Sequence, residues 1–246
     1  MAAGQGGFVA TPNVDHIVLA HGDARLRDAY AQASLSLPDG QLVVWMARLL
    51  GSPAPERVSG SDLIGPLMAG AAARNRKVFF FGATEAISRE AERRLVARHP
   101  GLRVVGRDCS LWSADDTTAP DESGVVRAVR QSGADLVIVA LGAPRQELWM
   151  ARHARALAPA VAIGLGASLD FVAGAVPRAP AWVSDAGLEW LYRLAQEPRR
   201  LAYRYLVRDP QILPIFAVAL ARRLRRRGAG GTKPINQAAA AVHRES

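Results

Sequence analysis

The feature that most constrains the fold is a set of short, almost continuously apolar segments separated by longer segments of helical character. Three of these segments are KVFFFGA, ADLVIVALG and AVAIGLGAS, at 77–83, 134–142 and 160–168, and LRVVGRD at 102–108 is a fourth candidate. A strand that is apolar on both sides must be covered on both faces, as in a parallel sheet whose strands are joined by helices. The sequence therefore predicts an α/β fold with a mostly parallel sheet flanked by helices.

Helices are predicted in the segments around these strands. Asp23 and Thr84 are expected to cap helices over 23–34 and 85–99, and Ser61 or Asp62 to cap a helix that continues to Asn75. The apolar run 17–20 fits either a buried strand or the start of the following helix. The segment LSLPDG predicts a strand that breaks into a turn. Further helices are expected at 41–51, 122–132 and 146–157.

The organisation along the chain predicts four parts. Residues 1–8 are expected to be disordered, and residues 9–185 to form the core that contains the parallel sheet. Residues 186–227 are predicted to form a basic, aromatic, helical C-terminal appendage. Residues 228–246 are predicted to form a flexible tail.

Positive charge is concentrated in the appendage. Residues 193–227 hold ten arginines and only two acids, Glu197 and Asp209, a balance of +8 in a chain that carries +9. Such a surface can meet the phosphates of a nucleotide, of lipid headgroups or of a nucleic acid. The alternative is an ordinary pair of packed helices with a solvated arginine cluster.

Several classes of protein are disfavoured by composition. Cys109 is the only cysteine, so no intramolecular disulfide can form, and the five histidines lack metal-ligand spacing. No DxD sequence occurs, so no metal is expected. No signal peptide is evident, and the apolar run 212–221 is shorter than the roughly 20 residues that span a membrane. We expect a cytoplasmic protein that meets a membrane, if at all, at its surface.

Suggestive residues follow four of the predicted strands. Asp39 lies in LPDG, Gly82 in FFFGATE, Gly142 and Gln146 in GAPRQE, and Asp170 in GASLD. In parallel sheets, ligands bind outside the carboxyl ends of the strands, and glycines there allow close backbone approach. The plain alternative is that the glycines make tight turns and that Asp39 is a turn former. As a functional group, a carboxylate in a partly dry cleft could act as a general base.

These motifs resemble those of the WecG/TagA/CpsF family of bacterial glycosyltransferases. The resemblance runs in order from about Thr11 to Arg208 and rests on TPNVDHIVLA, LPDGQLVVW, ERVSGSDL, LVIVALGAPRQELW, AIGLGASLDFVAG and RAPAWVSDAGLEWLYRLAQEPRRLAYRYL. It implies a Rossmann-like core and an inverting, metal-independent transferase. The implied donor is a UDP-sugar, of N-acetylmannosamine type or a related hexose. The implied acceptor is a sugar on a polyprenyl diphosphate, for synthesis of cell-surface polysaccharide or teichoic acid.

The resemblance also implies roles for individual residues. Asp39 corresponds to the catalytic base. The implied substrate-binding residues are Thr11, Asn13, Gln146, Asp170, Arg193 and Arg200, with Arg57, Asp62, Gly142, Arg178 and Arg204 as further candidates. Many family members carry Gly-Tyr near the nucleotide where this chain has CSLW, so Trp112 is the candidate for stacking on the base.

The implied chemistry has no cofactor other than the donor substrate. Arg193 and Arg200 are seven residues apart, so on one helix they would share a face and could reach one diphosphate together. The partners expected are the UDP-sugar, the lipid-linked acceptor and an anionic membrane at the inner face of the cell, with an oligomer possible and no nucleic acid. The competing hypotheses are a basic nucleic-acid-binding protein and an inactive nucleotide-binding regulator.

Overall fold

The computed structural model describes residues 6–53, 56–110, 122–180, 182–183 and 187–228. Its centre is a six-stranded sheet of order β2-β1-β6-β5-β3-β4, in which every pair of neighbours is parallel. The strands are β1 (Gly7–Ala10), β2 (Leu35–Ser36), β3 (Lys77–Gly82), β4 (Arg103–Asp108), β5 (Leu136–Ala140) and β6 (Val161–Gly164). The predicted α/β class with a parallel sheet is confirmed.

Helices connect and cover the strands. In chain order they are α1 (Val14–Gly22), α2 (Ala24–Gln32), α3 (Gln41–Leu49), α4 (Gly60–Ala73), α5 (Glu85–Arg98), α6 (Glu122–Ser132), α7 (Arg145–Leu157), α8 (Ser168–Ala173), α9 (Glu189–Gln196), α10 (Pro198–Tyr203) and α11 (Ile212–Gly228). A π-helical turn, Arg204–Arg208, and a 3-10 turn, Asp209–Gln211, join α10 to α11.

The sheet is buried on both faces, as its apolar strands require. Along β3, Phe79 and Phe81 pack into one core with Trp149 of α7, while Val78 and Phe80 pack into the opposite core. Side chains that alternate along a strand point to opposite faces, so each core receives every second residue. The result is a three-layer arrangement with helices on either side of the sheet.

Local capping explains where several helices begin. The Thr84 hydroxyl accepts from the N–H of Ile87, and the Asp23 carboxylate accepts from the N–H of Arg25, as the sequence predicted. The cap of α4 is Ser59, not Ser61 or Asp62, so that prediction is wrong by two or three residues. The ambiguous run 17–20 lies in α1. This helix is capped by Asn13, whose side-chain oxygen accepts a hydrogen bond from the N–H of His16.

Two further expectations need correction. Gly7 and Phe8 belong to β1 and pair with β6, so the expected disorder of residues 1–8 does not include these two; residues 1–5 lie outside the described chain. Arg193 and Arg200 do not share a helix, because α9 ends at Gln196 and α10 begins at Pro198. Proline disfavours helical conformation in the residue before it, and Glu197 accordingly has φ −125° and ψ 57°.

The last helix packs on the N-terminal part of the core. Ile212 of α11 is buried with Val18 of α1 and Met46 of α3, and Ile215 and Phe216 pack against this cluster. Within the described residues, no helix is both long enough and apolar enough to cross a bilayer. The predicted boundaries between core and appendage at 185 and 186 stay a prediction, and the predicted tail at 228–246 lies almost wholly outside the described residues.

We predict that the glycine at the end of β3 is required by its surroundings more than by its backbone angle. Gly82 has φ +89°, and a Cβ there would lie 2.7 Å from the carbonyl oxygen of Ala140; Gly101 has φ +92° and nothing within 4 Å of the same position. Gly101→Ala should lower the free energy of unfolding by about 1–2 kcal/mol. Gly82→Ala should cost about 2–3 kcal/mol more, because backbone cannot move aside cheaply.

Urea denaturation of both variants measures the difference in their free energies of unfolding. Gly101→Ala is the control, because it carries the cost of a positive φ without a close contact. Equal losses in the two variants would show that the close approach of β3 and β5 adds nothing.

Candidate active site

The parallel sheet brings the predicted residues to one edge. Because all six strands run in the same direction, their carboxyl ends lie together. The residues that follow these ends are Thr11 and Asn13 after β1, Asp39 after β2, Gly142 and Gln146 after β5, and Asp170 after β6. Within this edge the residues divide into distinct groups.

The loop that carries Asp39 is fixed by backbone hydrogen bonds on two sides. The N–H of Asp39 donates to the carbonyl oxygen of Pro12 at 2.8 Å, and the N–H of Val58 donates to that of Pro38 at 2.9 Å. Asp39 therefore lies between the turn after β1 and the segment that leads into α4. Gly40, with φ +124°, turns the chain from Asp39 directly into α3.

The environment of Asp39 suits a group that takes up a proton. Burial raises the pKa of its carboxyl to about 6, and the negative charge of Glu189 adds to the rise. Arg57, the N–H of Gly60 and the hydroxyl of Ser59 act in the opposite direction. A carboxylate with a pKa near 6 is ionised at neutral pH and is a better base than an ordinary aspartate.

Arg57 connects Asp39 to the appendage. Its guanidinium lies 3.7 Å from the carboxylate of Glu189 in α9 and 3.4 Å from that of Asp62 in α4. Asp62 also pairs with Arg178. The structure thus brings together Asp39, Arg57, Asp62 and Arg178, all of which the sequence had singled out, and adds Glu189, which it had not. The signal was an acid beside the aromatic residues of the GLEW motif in an otherwise basic segment.

Thr11 and Gln146 belong to a buried polar group beneath the same edge. The Thr11 hydroxyl donates to the carbonyl oxygen of Gly164 at 2.8 Å. The Gln146 side chain donates to Glu147 at 2.7 Å and accepts from the N–H of Gly166 at 3.2 Å. Burial raises the pKa of Glu147 to about 7. Both Thr11 and Gln146 are almost inaccessible, so their hydrogen bonds within the protein fix the turns that follow β1, β5 and β6.

Asn13 and Arg204 join the appendage to the first turn of the core. Besides capping α1, the side-chain oxygen of Asn13 accepts from Arg204 at 3.3 Å. Arg204 also lies 3.4 Å from Asp15, and Arg208 approaches the same carboxylate at 2.6 Å. Asp15 is buried, so two arginines hold the appendage against α1 around one carboxylate. Arg204 is occupied in this contact, and no local pattern in the sequence pointed to Asp15 or Arg208.

A separate group surrounds Asp170. Burial raises the pKa of its carboxyl, while the positive charges of Arg200 and then Arg193 lower it. The Arg193 guanidinium lies 5.5 Å from the ring centroid of Phe171, and its buried Nε makes no hydrogen bond within the described chain. Arg200 is largely exposed and pairs with Glu197 at 2.8 Å. Both arginines therefore act electrostatically on Asp170 although they lie on different helices.

The strand order places a topological switch point between β3 and β5. The chain leaves β3 toward β4 and leaves β5 toward β6, so two adjacent strands are followed by connections in opposite directions. Ligands of open α/β sheets bind at such a point. Gly142, with φ +74°, has open space where a side chain would be. Trp112, the candidate for stacking on a base, lies outside the described residues.

The part of the chain that the structure describes contains no group of three or more His, Cys, Asp or Glu side chains arranged to hold a metal ion. What the edge does offer is one partly buried carboxylate, a paired arginine beside it, and two further arginines at Asp170. This set can accept a proton and can stabilise an anion.

Comparison with known proteins gives a consistent result. A sequence model described as the glycosyl transferase WecG/TagA/CpsF family matches residues 1–228. That range contains every residue placed at this edge of the sheet.

Three relatives carry the name N-acetylglucosaminyldiphosphoundecaprenol N-acetyl-beta-D-mannosaminyltransferase. The protein of Bacillus spizizenii W23 is 34% identical over 196 residues, which cover 80% of this chain and 74% of the relative. That of Bacillus subtilis 168 is 30% identical over 195 residues, 79% of this chain and 73% of the relative. That of Staphylococcus aureus MW2 is 27% identical over 219 residues, 89% and 81%. The chain belongs to the WecG/TagA/CpsF family of glycosyl transferases.

Proposed function

We propose that this protein is an inverting, metal-independent glycosyltransferase. It moves a sugar of N-acetylmannosamine type, or a related hexose, from a UDP-sugar to a sugar on a polyprenyl diphosphate. The observation that carries the proposal is the position of Asp39, a carboxylate with a pKa near 6 at the mouth of the sheet and beside Arg57. The names of the relatives support a lipid-linked acceptor and an N-acetylmannosaminyl donor group.

The reaction is a single displacement at the anomeric carbon. The acceptor hydroxyl oxygen attacks this carbon, and its proton passes to a carboxylate oxygen of Asp39. The bond from the anomeric carbon to the phosphate oxygen breaks, and UDP leaves with the bonding electrons. Because attack and departure occur on opposite sides, the configuration at the carbon inverts.

The departing diphosphate needs positive charge. Arg193 and Arg200 supply it in this proposal, since the charges of both act on Asp170, which follows β6, and Arg200 is open to solvent. Guanidinium groups bind phosphate oxygens through two parallel hydrogen bonds, which places charge where it develops in the transition state. No metal ion is required for this step.

The acceptor determines where the enzyme works. A polyprenyl chain stays in the bilayer, so the acceptor sugar is reached from the membrane surface. We propose that the protein is peripheral at the inner face of the cell membrane, with the basic appendage attracted to anionic lipids. Membership of a glycosyl transferase family favours this function over nucleic-acid binding, for which the basic appendage was the main support.

We predict that Asp39→Asn removes turnover and keeps donor binding. The amide has the shape of the carboxylate but cannot accept the proton, so kcat should fall by about 10²–10⁴-fold. UDP release from a UDP-sugar and a lipid-linked acceptor measures kcat, and calorimetry measures donor affinity, which should change less than threefold.

The matched control is Asp28→Asn, because Asp28 is an exposed aspartate on α2. Full activity of Asp39→Asn would remove the base assignment. Absence of UDP release by the wild type with every donor and acceptor would remove the proposed function itself.

We also predict that Arg200 and its neighbour Arg199 differ sharply in importance. Both are exposed on α10, but only Arg200 influences Asp170. Arg200→Ala should lower kcat/KM by about 10–100-fold through lost stabilisation of the leaving diphosphate. Arg199→Ala should change it less than threefold, and excess EDTA should leave the wild-type rate unchanged. Equal effects of the two substitutions, or loss of activity in EDTA, would contradict the proposed role of the arginines.

A further inference from the structure

Helix α3 presents an apolar stripe to solvent. Leu42, Trp45 and Leu49 are 41%, 54% and 59% exposed. Their spacing of three and four residues puts them on one side of the helix. Val43, Val44 and Met46 of the same helix are buried, and Met46 lies at the edge of the stripe. Among the described residues the stripe therefore has no packing partner, although other side chains of the helix are buried.

The neighbouring helix α11 continues this surface. Met46 of α3 is buried in the same cluster as Ile212 of α11, and the guanidinium of Arg223 lies directly against Gly51, just beyond the end of α3. On its outer side α11 exposes Leu213, Val218 and Leu224. Two adjoining helices thus each carry apolar side chains that face solvent.

The charged residues of these two helices are all basic. Neither α3 nor α11 contains aspartate or glutamate, and the described side chains of α11 include Arg222, Arg223 and Arg225. A second copy of the chain docked on this surface would bring two arginine clusters together without acids to balance them. An anionic bilayer offers both the apolar layer and the negative charge that the surface lacks.

We propose that the stripe of Leu42, Trp45 and Leu49 inserts into the interfacial layer of an anionic bilayer, so that the core contributes a membrane contact of its own beside that of the appendage. It rests on the proposed function, because a lipid-linked acceptor gives the contact its purpose. Tryptophan suits this layer, since its ring is apolar and its N–H can reach water.

The membrane contact of α3 sets the distance between the Asp39 carboxylate and the bilayer surface. Asp39 is followed by Gly40, the cap of α3, so the helix that enters the bilayer begins two residues after the base, at Gln41. At about 1.5 Å per residue, Leu42 lies roughly 5 Å and Leu49 roughly 15 Å from Asp39 along the axis. Insertion of this helix holds Asp39 at the level of the headgroups, where the diphosphate and first sugar of the acceptor lie.

The test is co-sedimentation of the full chain with vesicles of phosphatidylglycerol and phosphatidylcholine. The double variant Trp45→Gln/Leu49→Gln should partition at least tenfold more weakly than the wild type. Val96→Gln, on the distant helix α5 and 40% exposed, is the matched control and should stay within twofold. Unchanged partitioning of the double variant overturns the proposal. If that variant instead loses self-association in size-exclusion chromatography, the stripe binds a second copy and the proposal is likewise overturned.

A second measurement tests insertion without weakening the surface. Trp45→Phe should bind vesicles within twofold of the wild type but lose a substantial part of the tryptophan quenching by brominated lipids. Undiminished quenching would show that Trp45 stays outside the bilayer.

Activity separates this proposal from the proposed function. The double variant should lose about tenfold with a polyprenyl acceptor in vesicles and less than twofold with a water-soluble, short-chain acceptor. A tenfold loss with both acceptors would mean that the stripe acts on the site and not on the membrane. If the wild type transfers to neither acceptor, the proposed function fails, while the vesicle experiments still decide the role of α3.

Discussion

Two contacts between the appendage and the core, at Asp15 and at Arg57, determine the environment of the catalytic carboxylate. Asp15, which is buried in α1, forms ion pairs with Arg204 and Arg208 of the appendage. Arg57 of the core forms an ion pair with Glu189 of α9. The first contact holds the appendage beside the turn that carries Thr11 and Asn13. The second brings a negative charge close to Asp39 and so raises its pKa further. Without the appendage, the core would keep the carboxylate but would lose part of what makes it basic.

This arrangement assigns the charges of the chain to different tasks. Arg204 and Arg208 are occupied by a buried carboxylate, where paired charges compensate one another. Arg193 and Arg200 act electrostatically on Asp170, and these are the two guanidinium groups that we assign to the diphosphate. Most of the remaining arginines of the appendage lie on α11, away from both groups, where we place the membrane. Different arginines of one basic segment thus dock the appendage, bind the diphosphate and contact the membrane.

Features governed by local rules could be predicted from the sequence. The apolar strands gave the parallel sheet, the cap at Thr84 followed from residue type, and the family motifs led to Asp39. The contact of Glu189 with Arg57 could not be predicted, because it joins residues far apart in the chain and depends on how the appendage docks. The break between Arg193 and Arg200 did have a local signal in Pro198, and helical spacing alone was the wrong guide there.

Burial and the charge of Glu189 together make Asp39 a base, and the pKa of this carboxyl can be measured directly. Carbon-13 NMR of labelled aspartate side chains, with Asp39→Asn to assign the signal, gives the titration of this one carboxyl. We expect a pKa of about 6 in the wild type, against an ordinary value of 3.8. Glu189→Gln should lower that pKa, because it removes the second of the two causes. A wild-type pKa near 3.8, or no change in Glu189→Gln, would contradict the account.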